Sequence, residues 1–178
     1  MVVEGWMPDF ALEAALGEFK RRHGQLLLVT GGPIEQGHML VNYKNFAELG
    51  TARLEQLGLD RRMIRAIPAL EVLRDRTYAS AIALKNWLEH APMPIKAINL
   101  VSLGTHARRS RLLFEKALGP GIAVGVIAIP DRRYDPRAWF RSSLGVRTTL
   151  DALVAYLYVR LFFVEFLTHF SDLQRNFS

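Results

Sequence analysis

Five short, nearly continuous apolar runs punctuate this chain, and between them the apolar residues fall at the three- and four-residue spacing of helices. The runs Val2–Glu4, Leu26–Thr30, Met63–Ile67, Ile98–Leu103 and Ile122–Ile129 lack the alternation of a half-exposed strand. They predict strands buried on both faces, as in parallel sheets. Leu12, Ala15, Leu16 and Phe19 share one helix face, which His23-Gly24 closes. Further helices are predicted from about Asn42 to Leu57, from about Asp75 to His90, and from Thr105 to Leu118 before Gly119-Pro120. Strands alternating with helices predict right-handed crossovers and a doubly wound, mostly parallel five-stranded sheet. With the strand order 3-2-1-4-5, the switch point lies between the first and fourth strands, and ligands of such sheets bind at the carboxyl ends there.

After the last strand comes a proline- and arginine-rich connection over 131–148, which contains Tyr134 and Trp139. A long apolar helix is expected from about Thr149 to Phe170, and the whole of 1–178 is expected to be one α/β domain with its core βα repeats in 1–130. Asp151, Arg160 and Glu165 interrupt the helix and argue against a transmembrane span. The stretch Leu161–Leu167 is too apolar to be fully solvated. Its exposed part is expected to meet a second copy of the chain or a membrane interface.

Composition narrows the chemistry. With 50% hydrophobic and 22% charged residues over 178 positions, the chain can bury a proper core. It has no cysteine, which excludes disulfides, thiolate metal ligands and thiol nucleophiles. Lysine and arginine number 23 against 17 acidic residues, for a net charge of +6. That excess favours anions, but it forms no concentrated stripe and matches no nucleic-acid-binding module, so nucleic acid is not an expected partner. The chain enters its first strand without a signal-peptide pattern, as expected of a piece of a longer protein whose targeting segment or anchor would lie upstream.

The densest chemistry lies in Leu103-Gly104-Thr105-His106-Ala107-Arg108-Arg109. A strand that turns into a helix start offers an anion unpaired N–H groups and the positive end of the helix dipole. His106 and Arg109 are three apart and share a face. The dipole favours a neutral imidazole near pH 7, able to transfer protons, and the Arg109 fork matches phosphate or carboxylate. Local packing for His106 and ordinary ion pairing for Arg109 are the alternatives. Thr105 would sit at the helix start as cap or ligand group.

Thr30-Gly31-Gly32-Pro33 would let backbone approach an anion without a Cβ in the way, or form a plain tight turn. It completes neither G-x-G-x-x-G nor a Walker loop. Glu4 at the end of the first strand and Glu71 before the third helix are candidate carboxylates, Glu4 being placed to orient His106. Thr77 and Ser80 share a face at the start of the third helix, where they would add hydroxyls to the crevice or cap the helix. No histidine and carboxylate set has recognised metal-ligand spacing, so no metal site is expected.

Val2-Val3-Glu4-Gly5-Trp6, Thr30-Gly31-Gly32, Asp75-Arg76-Thr77-Tyr78, Thr105-His106-Ala107-Arg108-Arg109 and Tyr134-Asp135-Pro136-Arg137-Ala138-Trp139 together resemble the YdcF-like family of bacterial domains. The resemblance implies a Rossmann-like three-layer α/β/α sandwich and a link to the cell envelope, often through an N-terminal membrane anchor. It maps the family's T/S-G-G turn onto Thr30, Gly31 and Gly32, its acidic residue and N-T pair onto Glu71 and Thr77, and its H-x-x-R onto His106 and Arg109. Arg76 stands where the family usually has asparagine, and Glu4-Gly5-Trp6 replaces a more usual glycine-rich turn. The resemblance supplies neither a reaction nor a cofactor.

The expected function is binding of an anionic, phosphorylated or nucleotide-like small molecule at the sheet's carboxyl edge. Arg109 and the turn amides would hold the anion, and His106 would transfer a proton with Glu4 or Glu71 orienting it. The alternative is a non-catalytic domain that senses a metabolite such as S-adenosylmethionine or acts through protein interaction.

Overall fold

Strands form where the continuous apolar runs lie: β1 (Val2–Glu4), β2 (Leu27–Gly31), β3 (Ile64–Pro68), β4 (Ala97–Leu103) and β5 (Ala123–Ile129). The computed structural model describes residues 1–35, 42–72, 74–92 and 94–163. These divide into two units, one ending at Arg132 and the other beginning at Arg133.

In the first unit the five strands pair in the order β3-β2-β1-β4-β5, every pair parallel, as the alternating pattern predicts. The helices between them are α1 (Asp9–Arg21), α2 (Phe46–Gln56), α3 (Arg76–Glu89) and α4 (His106–Leu118). Because side chains alternate across a strand, the sheet sorts its apolar residues into two cores. Val3, Leu27, Val29, Val101 and Leu103 pack with Leu12, Leu16 and Phe19 of α1 and Leu54 of α2. Val2, Leu28, Ile67 and Leu100 pack with Leu84 of α3 and Phe114 of α4. The result is a three-layer α/β sandwich of Rossmann-like type, with α1 and α2 on one face and α3 and α4 on the other.

Local chemistry sets the boundaries. The second helix begins at Phe46 rather than Asn42, because the Asn45 side chain accepts from the Glu48 N–H at 2.8 Å and caps it there. The preceding residues are pinned instead to the end of β2. Ile34 N–H donates to the Lys44 carbonyl at 3.1 Å and Phe46 N–H to the Gly32 carbonyl at 2.9 Å.

Glycines let α2 lie against the turn that follows β1. A Cβ on Gly5 would overlap the Phe46 carbonyl oxygen, one on Gly31 would lie 2.7 Å from the Ala47 nitrogen, and one on Gly50 would lie 2.8 Å from the Gly5 Cα. Backbone is therefore in direct contact with backbone, with no room for a methyl group.

In the second unit a 3-10 turn over Pro136–Arg141 leads to α5 (Ser143–Leu161). This helix begins at Ser143 rather than Thr149, because the Ser142 hydroxyl accepts from the Gly145 N–H at 3.0 Å. Its expected end at Phe170, and most of the apolar stretch beyond Leu161, lie outside the described residues. Leu150, Leu153, Val154, Leu157, Tyr158, Leu161 and Phe162 are exposed. No helix among the described residues is long and apolar enough to cross a membrane.

The glycine contacts predict opposite outcomes for two glycine-to-alanine substitutions. Gly5→Ala forces a methyl group into the α2 backbone and should lower stability by about 1–3 kcal/mol, the usual cost of overpacking. Gly17→Ala, in the middle of α1 with nothing within 4 Å of the new methyl group, should raise stability by about 0.5–1 kcal/mol. Urea denaturation of both variants checks the pair, and a neutral Gly5→Ala would mean that α2 does not sit against this turn.

Candidate functional site

The site is built up from a buried charge. Glu4 ends the strand at the middle of the sheet, between Thr30 of β2 in register and β4 on its other side, and it is only 2% exposed. A carboxylate there needs donors in place of water. Two fully buried serines supply them: Ser102 of β4 donates to Oε2, and Ser110 of α4 donates to Oε1 at 3.0 Å and to Oε2 at 3.2 Å.

Above Glu4 the chain leaves β4 through Gly104, whose φ of 47° lies in the left-handed region. The Gly104 N–H donates to the Ile129 carbonyl at 2.7 Å, and α4 starts directly afterwards. His106 and Arg109 share a face, as their spacing predicts. His106 Nε2 lies 4.0 Å from Glu4 Oε1, within ion-pair reach and beyond hydrogen-bond length.

Arg109 Nη2 lies 3.3 Å from His106 Nδ1 and 3.2 Å from Nε2. A nitrogen nearly equidistant from both ring nitrogens cannot lie along either in-plane lone pair, so the guanidinium sits over the ring. Trp6 meets the imidazole edge-on, with ring centroids 4.9 Å apart and planes at 73°. Packing on Trp6 and Arg109 thus fixes the imidazole, and its in-plane nitrogen positions have no protein partner among the described residues.

Burial pushes the His106 pKa below the ordinary 6.5, the Glu4 charge partly opposes this, and Arg109 adds to the lowering. The imidazole is therefore neutral at pH 7. Burial likewise pushes the Arg109 pKa down, the charges of Glu4 and Asp75 oppose this, and Arg76 adds to the lowering.

These groups face a cavity of about 590 Å³. One side comes from the loop before α3 and from the starts of α3 and α4: Arg74, Asp75, Arg76, Thr77, Ser80, His106 and Arg109, with Leu113 behind them. The other side comes from the loops that lead toward α1 and α2 and is mostly apolar: Trp6, Gly32, Pro33 and Phe46. Glu4 and Thr30 line it from the strand ends. Arg76 Nη1 pairs with Glu35 Oε2 at 2.9 Å, both side chains being exposed. Two buried polar atoms of the wall, Thr30 Oγ1 and Arg109 Nε, have no hydrogen-bond partner among the described residues.

Seven of the sequence-nominated residues, Glu4, Thr30, Gly32, Thr77, Ser80, His106 and Arg109, therefore meet in one cavity. Three do not. Glu71 is exposed and outside the cavity wall, so Glu4 is the carboxylate near His106. Gly31 lies beneath α2, and close packing rather than approach to a ligand explains its missing side chain. Thr105 is exposed, adopts helical angles (φ −65°, ψ −22°) and makes no cap hydrogen bond, because the turn is completed at Gly104.

Sequence reasoning places Glu4-Gly5-Trp6 at the crevice without giving Trp6 a role, and it passed over Ser102, Ser110 and Phe46 as site residues. Ser102 and Ser110 did carry a signal. Each is a polar residue at a core-facing position of an element buried there, and such a residue needs a buried partner.

The electrostatic couplings predict how His106 titrates. Glu4→Gln removes the charge that raises its pKa and should lower the value further, whereas Arg109→Met removes a neighbouring cation and should raise it. NMR titration of the imidazole reads both directions. The unfolded imidazole takes up a proton at a higher pH than the folded one, so this group lowers stability as pH falls from about 6.5 through its depressed value. His106→Gln should therefore gain stability relative to the wild type on acidification, and parallel urea midpoints from pH 8 to 5 would contradict the assignment. Comparison with models of known families, with curated proteins and with solved structures finds no match to this chain.

Proposed function

We propose that the first unit binds an anionic small molecule, phosphorylated or nucleotide-like, at the carboxyl ends of β1 and β2, with Arg109 as the principal anchor. The observation that carries this reading is the gathering of the Arg109 guanidinium with the hydroxyl-bearing residues Thr30, Thr77 and Ser80 around one cavity. A guanidinium fork matches the oxygens of a phosphate or carboxylate, and hydroxyls beside it add further donors. Charge points the same way. Arg76 is already paired with Glu35 and Glu4 accepts from two serines, which leaves the guanidiniums of Arg74 and Arg109 on the wall with Asp75.

His106 is the group through which the site would act on its ligand. A neutral imidazole with free in-plane nitrogens can take a proton from a bound hydroxyl or water, and the imidazolium so formed is stabilised by Glu4 at 4.0 Å. A phosphoester or glycosyl phosphate suits this arrangement. The same geometry also favours a second, non-catalytic reading, as a metabolite sensor. Among the described residues no acceptor within hydrogen-bond distance fixes one tautomer of His106, as the third member of a catalytic triad would.

YdcF-like ancestry belongs to the same proposal. Its support is that Thr30, Gly32, Thr77, His106 and Arg109, drawn from separate motifs, face one cavity. A role in the bacterial envelope rests on that resemblance alone.

Calorimetric titration with inorganic phosphate tests the anion reading. The wild type should bind, and Arg109→Met should weaken binding about 10- to 100-fold, the worth of a hydrogen bond to a charged group. Absence of phosphate binding, or equal affinity in the variant, would sink it. With a phosphoester that is turned over, His106→Gln should abolish turnover and leave affinity within a few-fold, whereas loss of affinity without any measurable turnover selects the sensor.

A further inference from the structure

The apolar side of the cavity has a feature that anion binding does not require. Trp6 is 36% exposed, although the residues on either side of it, Gly5 and Met7, are buried. Gly5 N–H donates to the Thr30 carbonyl at 2.8 Å and Met7 N–H to the Glu4 carbonyl at 3.3 Å, which closes a tight turn with Trp6 at its apex. Arg53 Nη1 donates to the Met7 carbonyl at 2.9 Å and also pairs with Asp9, so the turn is tied to α2 as well. An indole held this firmly and left partly in solvent at a cavity wall is a preorganised surface.

We propose that Trp6 is the platform on which the ligand's ring stacks, so that the site takes a phosphate joined to a flat aromatic ring. The proposal rests on the anion reading for the phosphate half, and on the apolar wall for the ring half. The cavity of about 590 Å³ lies within the range of sites that enclose a whole organic ligand rather than a single ion. Beside Trp6, Pro33 and Phe46 bring no side-chain donor or acceptor to that wall, which suits an aromatic face better than the hydroxyls of a sugar. The guanidiniums and hydroxyls lie across the crevice on α3 and α4. Trp6 and Arg109 both touch the His106 ring, so a ligand with its ring on Trp6 and its phosphate at Arg109 lies beside that imidazole.

Calorimetry on the full chain with inorganic phosphate, ribose 5-phosphate, phenyl phosphate, adenosine monophosphate and adenosine tests this. The two aromatic phosphates should bind about 5- to 100-fold more tightly than inorganic phosphate and ribose 5-phosphate, the usual worth of one stacked ring. Trp6→Ala should erase that advantage while leaving phosphate affinity within about twofold, and Trp6→Phe should keep most of it. Preference for adenosine monophosphate over phenyl phosphate identifies a nucleobase as the ring, and equal affinity identifies a simple aryl group. The platform is overturned if ribose 5-phosphate matches the aromatic phosphates or if Trp6→Ala leaves their advantage intact. Adenosine binding that depends on Trp6 without any phosphate binding would overturn the anion reading and keep the ring platform. Binding of none of the five overturns both. Circular dichroism of the Trp6 variants separates loss of the platform from loss of the fold.

Discussion

A carboxylate buried at the end of the central strand is the constraint around which this site is arranged. Glu4 is almost wholly screened from water, and an uncompensated buried charge costs several kcal/mol. The structure answers with short-range donors and longer-range cations: Ser102 and Ser110 donate hydrogen bonds, and Arg109 and the protonatable His106 stand nearby. Both serines occupy positions that would otherwise hold apolar residues. Their partner explains why two elements that meet in the core each carry a hydroxyl at their point of contact.

Topology converts that buried charge into a cavity. β1 and β4 are neighbours in the sheet, but the chain leaves β1 toward the α1 and α2 face and leaves β4 toward the α3 and α4 face. Their connections diverge, and a crevice opens above the strand ends. Its two sides differ because they come from different layers. Helices α3 and α4 contribute cations and hydroxyls, while the loops toward α1 and α2 contribute backbone and apolar surface. The backbone contacts among Gly5, Gly31 and Gly50 hold that apolar side close to the sheet.

Much of this was legible in the sequence, and where it was not, the reasons are specific. Continuous apolar runs revealed five strands and their parallel pairing, because a strand covered on both faces has no polar alternation. Helix starts were less legible. Asn45 and Ser142 stop their helices from extending further toward the N-terminus by capping them, but a cap is one short polar residue among several in each loop. His106 and Arg109 could be paired from spacing alone, since three residues along a helix keep one face. Glu71 could not be placed, because a loop has no periodicity to fix its direction. Gly31 and Gly32 read alike in sequence and differ in three dimensions, one packed under α2 and the other at the cavity wall.

The tripeptide Glu4-Gly5-Trp6 shows why the departure after the first strand matters. Three consecutive residues do three different jobs: one places a charge at the floor of the cavity, one lets α2 approach, and one presents an indole beside His106. They can do so because β1 ends there, and successive side chains leave an extended backbone in opposite directions. A one-residue shift in the register of β1 would move the carboxylate toward the α1 and α2 core and put a side chain where Gly5 meets Phe46. The pairing of Val2 with Leu28 and of Val3 with Val29 therefore fixes the polarity of the cavity as well as the order of the sheet. The core that holds the strands together and the site at their ends are set by the same register.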